Sequence, residues 1–79
     1  MEPDQAFGKV LKRVRLEKGV TQEHLAQESG YHPTYISQIE RGQKNPSVNT
    51  IFRLAKVLGI RPYLLILSTE EEIVKSPSE

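Results

Sequence analysis

Thr34, Ser37 and Gln38 stand three and four positions apart, a spacing that places side chains on one face of a helix. A glutamine amide presents a donor and an acceptor side by side. That pair suits the exposed edge of adenine, and such a contact discriminates against a wrong base by about 1–3 kcal/mol. Threonine can hydrogen-bond a base or set its methyl group against that of thymine. Ile36 and Ile39 occupy the other side of the same turns. Pro33 opens the segment, where its missing N–H costs nothing. The pattern is a short helix with an apolar back and a hydrogen-bonding front, and the plain alternative is a polar face in water. His32, just ahead of it, can cap the helix or touch a phosphate.

Other chemistries find little to work with. The chain has no cysteine, which excludes a disulfide framework, a thiolate zinc site and a cysteine nucleophile. His24 and His32 are too few for a metal site unless carboxylates complete it. Glu70-Glu71-Glu72 reads as a solvated charge run and not as a metal cluster. No glycine-rich phosphate loop, zinc-protease motif or serine elbow is present. We expect no enzyme, no cofactor and no metal.

The charge is uneven. The 79 residues carry a formal charge of +1, but residues 1–67 hold ten basic and six acidic side chains, a net of +4. Residues 68–79 hold Lys75 against Glu70, Glu71, Glu72 and Glu79, a net of −3. A basic body suits a polyanionic partner. No apolar run approaches the roughly 18 residues of a membrane span, and the start Glu2-Pro3-Asp4 is unlike a signal peptide. A cytoplasmic protein is expected.

These residues need a scaffold, and the periodicity supplies an all-α one. Phe7, Val10, Leu11 and Val14 repeat as an amphipathic stripe, so a first helix is expected at about 3–18. Thr21 N-caps a second helix, about 22–29, closed by Ser29-Gly30. The third runs from Pro33 to Arg41, with Gly42 after it. Two short helices joined by a glycine-containing turn form a helix-turn-helix. Ser47 caps a fourth helix, about 48–58, with Ile51, Leu54, Ala55 and Leu58 inward and Gly59 at its end. Pro62 opens a fifth, ending near 68. Leu64 and Leu65 are expected in the core. Residues 1–67 then form one domain, and 68–79 an acidic tail expected to be solvated and frayed, with Pro77 and two serines supporting that.

Three stretches carry a resemblance. Gly19-Val20-Thr21-Gln22-Glu23-His24-Leu25-Ala26, then Tyr35-Ile36-Ser37-Gln38-Ile39-Glu40-Arg41-Gly42 with Asn45-Pro46-Ser47, then Leu54-Ala55 with Leu58-Gly59-Ile60, fall in the order seen in lambda-repressor-like, XRE-type transcription regulators. The match covers roughly residues 6–67. In size the chain is similar to restriction–modification controller proteins and to small phage or plasmid repressors. The resemblance implies a compact five-helix domain that binds double-stranded DNA as a homodimer and regulates transcription, with RNA polymerase at the promoter as a further contact.

Carried onto this sequence, the resemblance makes the third helix the reader of the major groove. Thr34, Ser37, Gln38 and Pro33 are then the base-contacting set. It implies that the Gln22 amide clamps the DNA backbone at the start of the second helix, where an anion is favoured. Tyr35 can bond a phosphate through its hydroxyl or pack on the turn. Arg41, Gln43, Lys44 and Asn45 follow the reading helix on a loop that would run beside a strand, and with His32 they complete the phosphate set. The resemblance also implies that Arg15 and Glu40 form a structural ion pair between the first and third helices.

The last helix has more apolar residues than one inward face needs. Pro62, Tyr63, Ile66 and Leu67 are expected at a two-fold dimer interface, which would set the two reading helices about 34–36 Å apart, one turn of DNA. The rival reading is an antitoxin-like module that binds a protein partner through the last helix or the acidic tail.

Overall fold

The computed structural model describes residues 1–75. It contains five helices, α1 (Pro3–Glu17), α2 (Gln22–Ser29), α3 (Pro33–Glu40), α4 (Val48–Leu58) and α5 (Pro62–Lys75), and no strand among the described residues. Their ends follow local chemistry. Thr21 Oγ1 accepts from the His24 N–H at 3.0 Å, and Ser47 Oγ accepts from the Thr50 N–H at 3.1 Å. Each satisfies one of the donors a helix start leaves free. Gly30 and Gly59 close α2 and α4 in the left-handed region, which glycine enters without steric cost.

The apolar stripes converge on one core. Phe7, Val10 and Leu11 from α1 meet Leu25 and Ala26 from α2, Ile36 and Ile39 from α3, Leu54, Ala55 and Leu58 from α4, and Leu65 from α5. α1 lies against both α5 and α3, and α2 packs on α3 and α4. The α1–α3 approach depends on Gly8. A Cβ there would collide with the Ile39 carbonyl oxygen and stand 2.7 Å from that of Glu40. Both obstacles are backbone, so neither can swing aside.

Two expectations about the last helix are corrected. α5 does not end near 68 but continues through the glutamate run to Lys75. Thr69 is buried, with its hydroxyl donating to the Leu65 carbonyl at 2.7 Å. One turn later Glu72 accepts from Arg13 of α1 at 3.1 Å. The segment is therefore held on α1 by one face while Glu70 and Glu71 stay exposed on the other. Pro77 and its flanking serines lie outside the described residues. Leu64 is the second correction. It is 37% exposed, whereas Leu65 is fully buried. One helical step turns the chain by about 100°, so two adjacent leucines do not share the inward direction.

Candidate nucleic-acid interface

The α2–α3 unit is fixed from behind. The Arg15 guanidinium grips the Glu40 carboxylate by two bonds, Nε to Oε2 at 2.6 Å and Nη2 to Oε1 at 3.1 Å. Its third arm, Nη1, donates to the Val20 carbonyl at 2.9 Å. Gln22 Nε2 donates to the same Glu40 Oε1 at 2.9 Å. The Arg15 and Glu40 side chains are only 8% and 3% exposed. A fork-to-fork pair of this kind has directional geometry as well as charge. It ties the end of α1, the start of α2 and the end of α3 into one rigid corner. Gln22, expected at the DNA backbone, is thereby oriented by Glu40.

A second fastening sits on the other flank. The Thr50 hydroxyl is buried at the start of α4, 2.9 Å from Tyr31 Oη, 3.4 Å from Tyr35 Oη and 3.0 Å from Ser47 Oγ. The Tyr31 and Tyr35 rings lie 5.0 Å apart, tilted by 56°. Arg53 covers the outer side of Tyr31 at 5.3 Å from its centroid. Tyr35 is thus packed on the turn with its hydroxyl directed to the Thr50 cluster. Nothing in the sequence singled out Thr50. Its one legible signal is its place three residues after an N-cap serine.

Between these fastenings lies the front of α3. Ile36 and Ile39 are fully buried. Thr34 is exposed, and Ser37, Gln38 and Pro33 are half-buried along the same helix. His32 caps it, with Nδ1 accepting from the Thr34 N–H at 3.1 Å. Past the end of α3, the exposed residues Arg41, Gln43, Lys44 and Asn45 form the loop to α4. Arg41 Nη2 donates to Gln43 Oε1 at 3.4 Å. Lys44 has no ion-pair partner among the described residues, so its charge faces solvent. The arrangement offers hydrogen-bonding groups along one face of a helix with cations and amides beside it. Among the described residues no group of three or more His, Cys, Asp or Glu side chains could hold a metal ion, and no helix is long and apolar enough to cross a membrane.

The apolar surface expected on α5 is larger than the sequence indicated. Tyr63, Ile66 and Leu67 are exposed and Pro62 is half-buried. Leu64 of α5 is exposed too, as are Val48 and Phe52 of α4. Phe52 and Pro62 line one open cleft, and Ile51 and Ile66 line another. The two helices therefore present adjoining apolar residues. Val48 and Phe52 follow one another at i and i+4 outside the inward stripe of α4, and that surplus was the available signal.

A family model described as helix-turn-helix matches residues 11–65. An HTH-type transcriptional regulator of Sinorhizobium fredii, y4dJ, is 39% identical over 71 residues, covering 90% of this chain and 92% of the relative. Control protein C.BamHI of Bacillus amyloliquefaciens is 46% identical over 57 residues, covering 71% and 70%. Among solved structures, the clp gene regulator ClgR of Corynebacterium glutamicum superposes with a TM-score of 0.95 at 27% identity, covering 99% of this chain and 83% of that one.

Proposed function

This chain belongs to the helix-turn-helix family and is a DNA-binding transcription regulator, and from that premise we propose that it acts as a homodimer on an inverted-repeat operator. α3 enters the major groove. Gln38, Ser37 and Thr34 read base edges, with Pro33 against the groove wall. Gln22, His32, Arg41, Gln43, Lys44 and Asn45 hold the phosphates on either side, while Tyr35, expected in that set, is instead engaged by the Thr50 cluster. The observation that carries this reading is the solvent-accessible polar front of α3, Thr34 exposed and Ser37 and Gln38 half-buried, held between two buried fastenings. A rigid back presets the angle at which the front meets DNA.

The second copy joins through the exposed apolar residues of α5 and the adjoining part of α4. Two α3 helices related by a two-fold axis read a two-fold symmetric site. The bound dimer acts at a promoter, in the cytoplasm, by excluding RNA polymerase or by touching it. The likeness to Control protein C.BamHI supports a regulator of the controller type. Nothing in the relatives supports the rival antitoxin-like module.

Selection of bound sequences from a random DNA pool tests the proposal. The expected result is enrichment of one two-fold symmetric site whose half-sites are about one DNA turn apart. A single unpaired half-site would remove the homodimer. No enrichment by a protein that circular dichroism shows to be folded would overturn sequence-specific reading.

A further inference from the structure

The outer face of α5 carries two kinds of residue in a fixed order. Tyr63, Leu67, Glu70 and Val74 follow one another at steps of four, three and four, the spacing of a helix–helix seam. They lie opposite Leu65 and Thr69, the two buried residues of the helix. Tyr63 is 62% exposed and Val74 69%. The first half of this face is apolar and is headed by Arg61, whose guanidinium lies 5.9 Å from the Tyr63 ring centroid. The second half carries Glu70 and Glu71, both exposed. Among the described residues, Arg61, Glu70 and Glu71 have no ion-pair partner within the chain.

Resting on the homodimer reading above, we propose that α5 packs antiparallel on α5 of a second copy, crossing near Ile66 and Leu67, and that Arg61 of each copy pairs with the partner's Glu70 and Glu71. A two-fold axis normal to the helix reverses the partner's direction. Arg61 stands roughly 8 Å before the crossing and the two glutamates roughly 6 Å beyond it, at about 1.5 Å per residue. The basic end of one helix therefore lies over the acidic part of the other, and symmetry makes the contact twice. A parallel pairing, with the axis along the helix, sets four carboxylates together and leaves both arginines unmatched. Like charges across an interface disfavour that arrangement. The apolar residues supply the attraction, and the charges choose orientation and register.

The test is a charge exchange between two full-length variants, read by sedimentation equilibrium. In Arg61→Glu, a homodimer opposes carboxylates at both contacts. In Glu70→Lys/Glu71→Lys, a homodimer opposes cations at both. A mixed dimer of the two restores attraction at both contacts. We expect each variant alone to dimerise at least about tenfold more weakly than the native chain, and the equimolar mixture to recover to within about threefold of it. If the native chain dimerises and both variants do so equally well, or if mixing restores nothing, the pairing is overturned while the homodimer stands. A native chain that stays monomeric overturns both. These positions are exposed, so folding is checked by circular dichroism. Should either variant fail to fold, Arg61→Gln and Glu70→Gln/Glu71→Gln serve instead. Each is then expected to weaken the dimer, and unchanged dimerisation by both refutes the proposal.

Discussion

The α2–α3 unit and α5 each carry an ion pair to α1, and the two pairs differ in nearly every respect. Arg15–Glu40 is buried, bidentate and joined by Gln22 and the Val20 carbonyl. Arg13–Glu72 is a single contact of 3.1 Å with the arginine side chain 45% exposed. The first holds the reading unit in one orientation. The second steadies the far end of a helix whose opposite face is open to a partner. A regulator of this size needs both kinds of fastening. In the proposed mode of action, the element that would read bases must not yield, whereas the element that would meet another copy needs only to be held in place on one side.

The sharpest way to break that contrast is to remove one carboxylate from each region. Glu40→Ala leaves Arg15 charged and buried with a single carbonyl for company. The expected loss is about 3–5 kcal/mol of folding stability, read by urea or thermal denaturation. For a chain this small that is a large part of its total stability. A loss below about 1 kcal/mol, the range of exposed pairs, would mean the corner is not what holds α2 and α3.

Smaller effects separate reading from holding within the first region. Gln38→Ala is expected to weaken binding to the selected operator by about 1–3 kcal/mol per half-site while leaving binding to unrelated DNA nearly unchanged. Equal losses on both DNAs would show that Gln38 reads no base. Lys44→Ala is expected to weaken binding to all sequences and to lower the slope of log affinity against log salt by about one for each copy bound. Fluorescence anisotropy at several salt concentrations measures both. An unchanged slope would take Lys44 out of the phosphate set.

The two regions were also unequally legible. The reading unit announces itself through residues whose chemistry is local. Thr21 caps α2, Gly30 ends it, and Ile36 and Ile39 set the inward side of α3. Such signals need no knowledge of the rest of the fold. The end of α5 has no such signal. Three consecutive glutamates look like a frayed tail, and only the approach of Arg13 and the burial of Thr69 show that the helix goes on. Gly8 and Thr50 were hard to read in the sequence for the same reason. The first matters because the backbone of α3 passes against it, the second because Tyr31 of the α2–α3 turn and Tyr35 of α3 reach it. Long-range contacts decided all of these, and the Leu64–Leu65 choice turned on a helix rotation that adjacent leucines cannot reveal.

The weakest expected effect tests the α5 fastening directly. The hydrogen bond from Arg13 holds the Glu72 carboxyl below its usual range, against the opposing pull of partial desolvation. A carboxylate whose folded pKa is depressed adds stability above its unfolded pKa and loses it as pH falls through the folded one. Glu72→Gln removes that contribution without shortening the side chain. The native chain should therefore melt slightly above the variant near neutral pH, and the gap should close as the solution is acidified below the ordinary carboxylate value of 4.5. Because the arginine side of the pair is open to solvent, the gap should also shrink in high salt. Glu40→Ala should behave otherwise, since its buried partner is screened far less. If the Glu72→Gln gap persisted in acid, the end of α5 would be held by its apolar and Thr69 contacts alone. The contrast between the two fastenings would then be one between an ion pair and none.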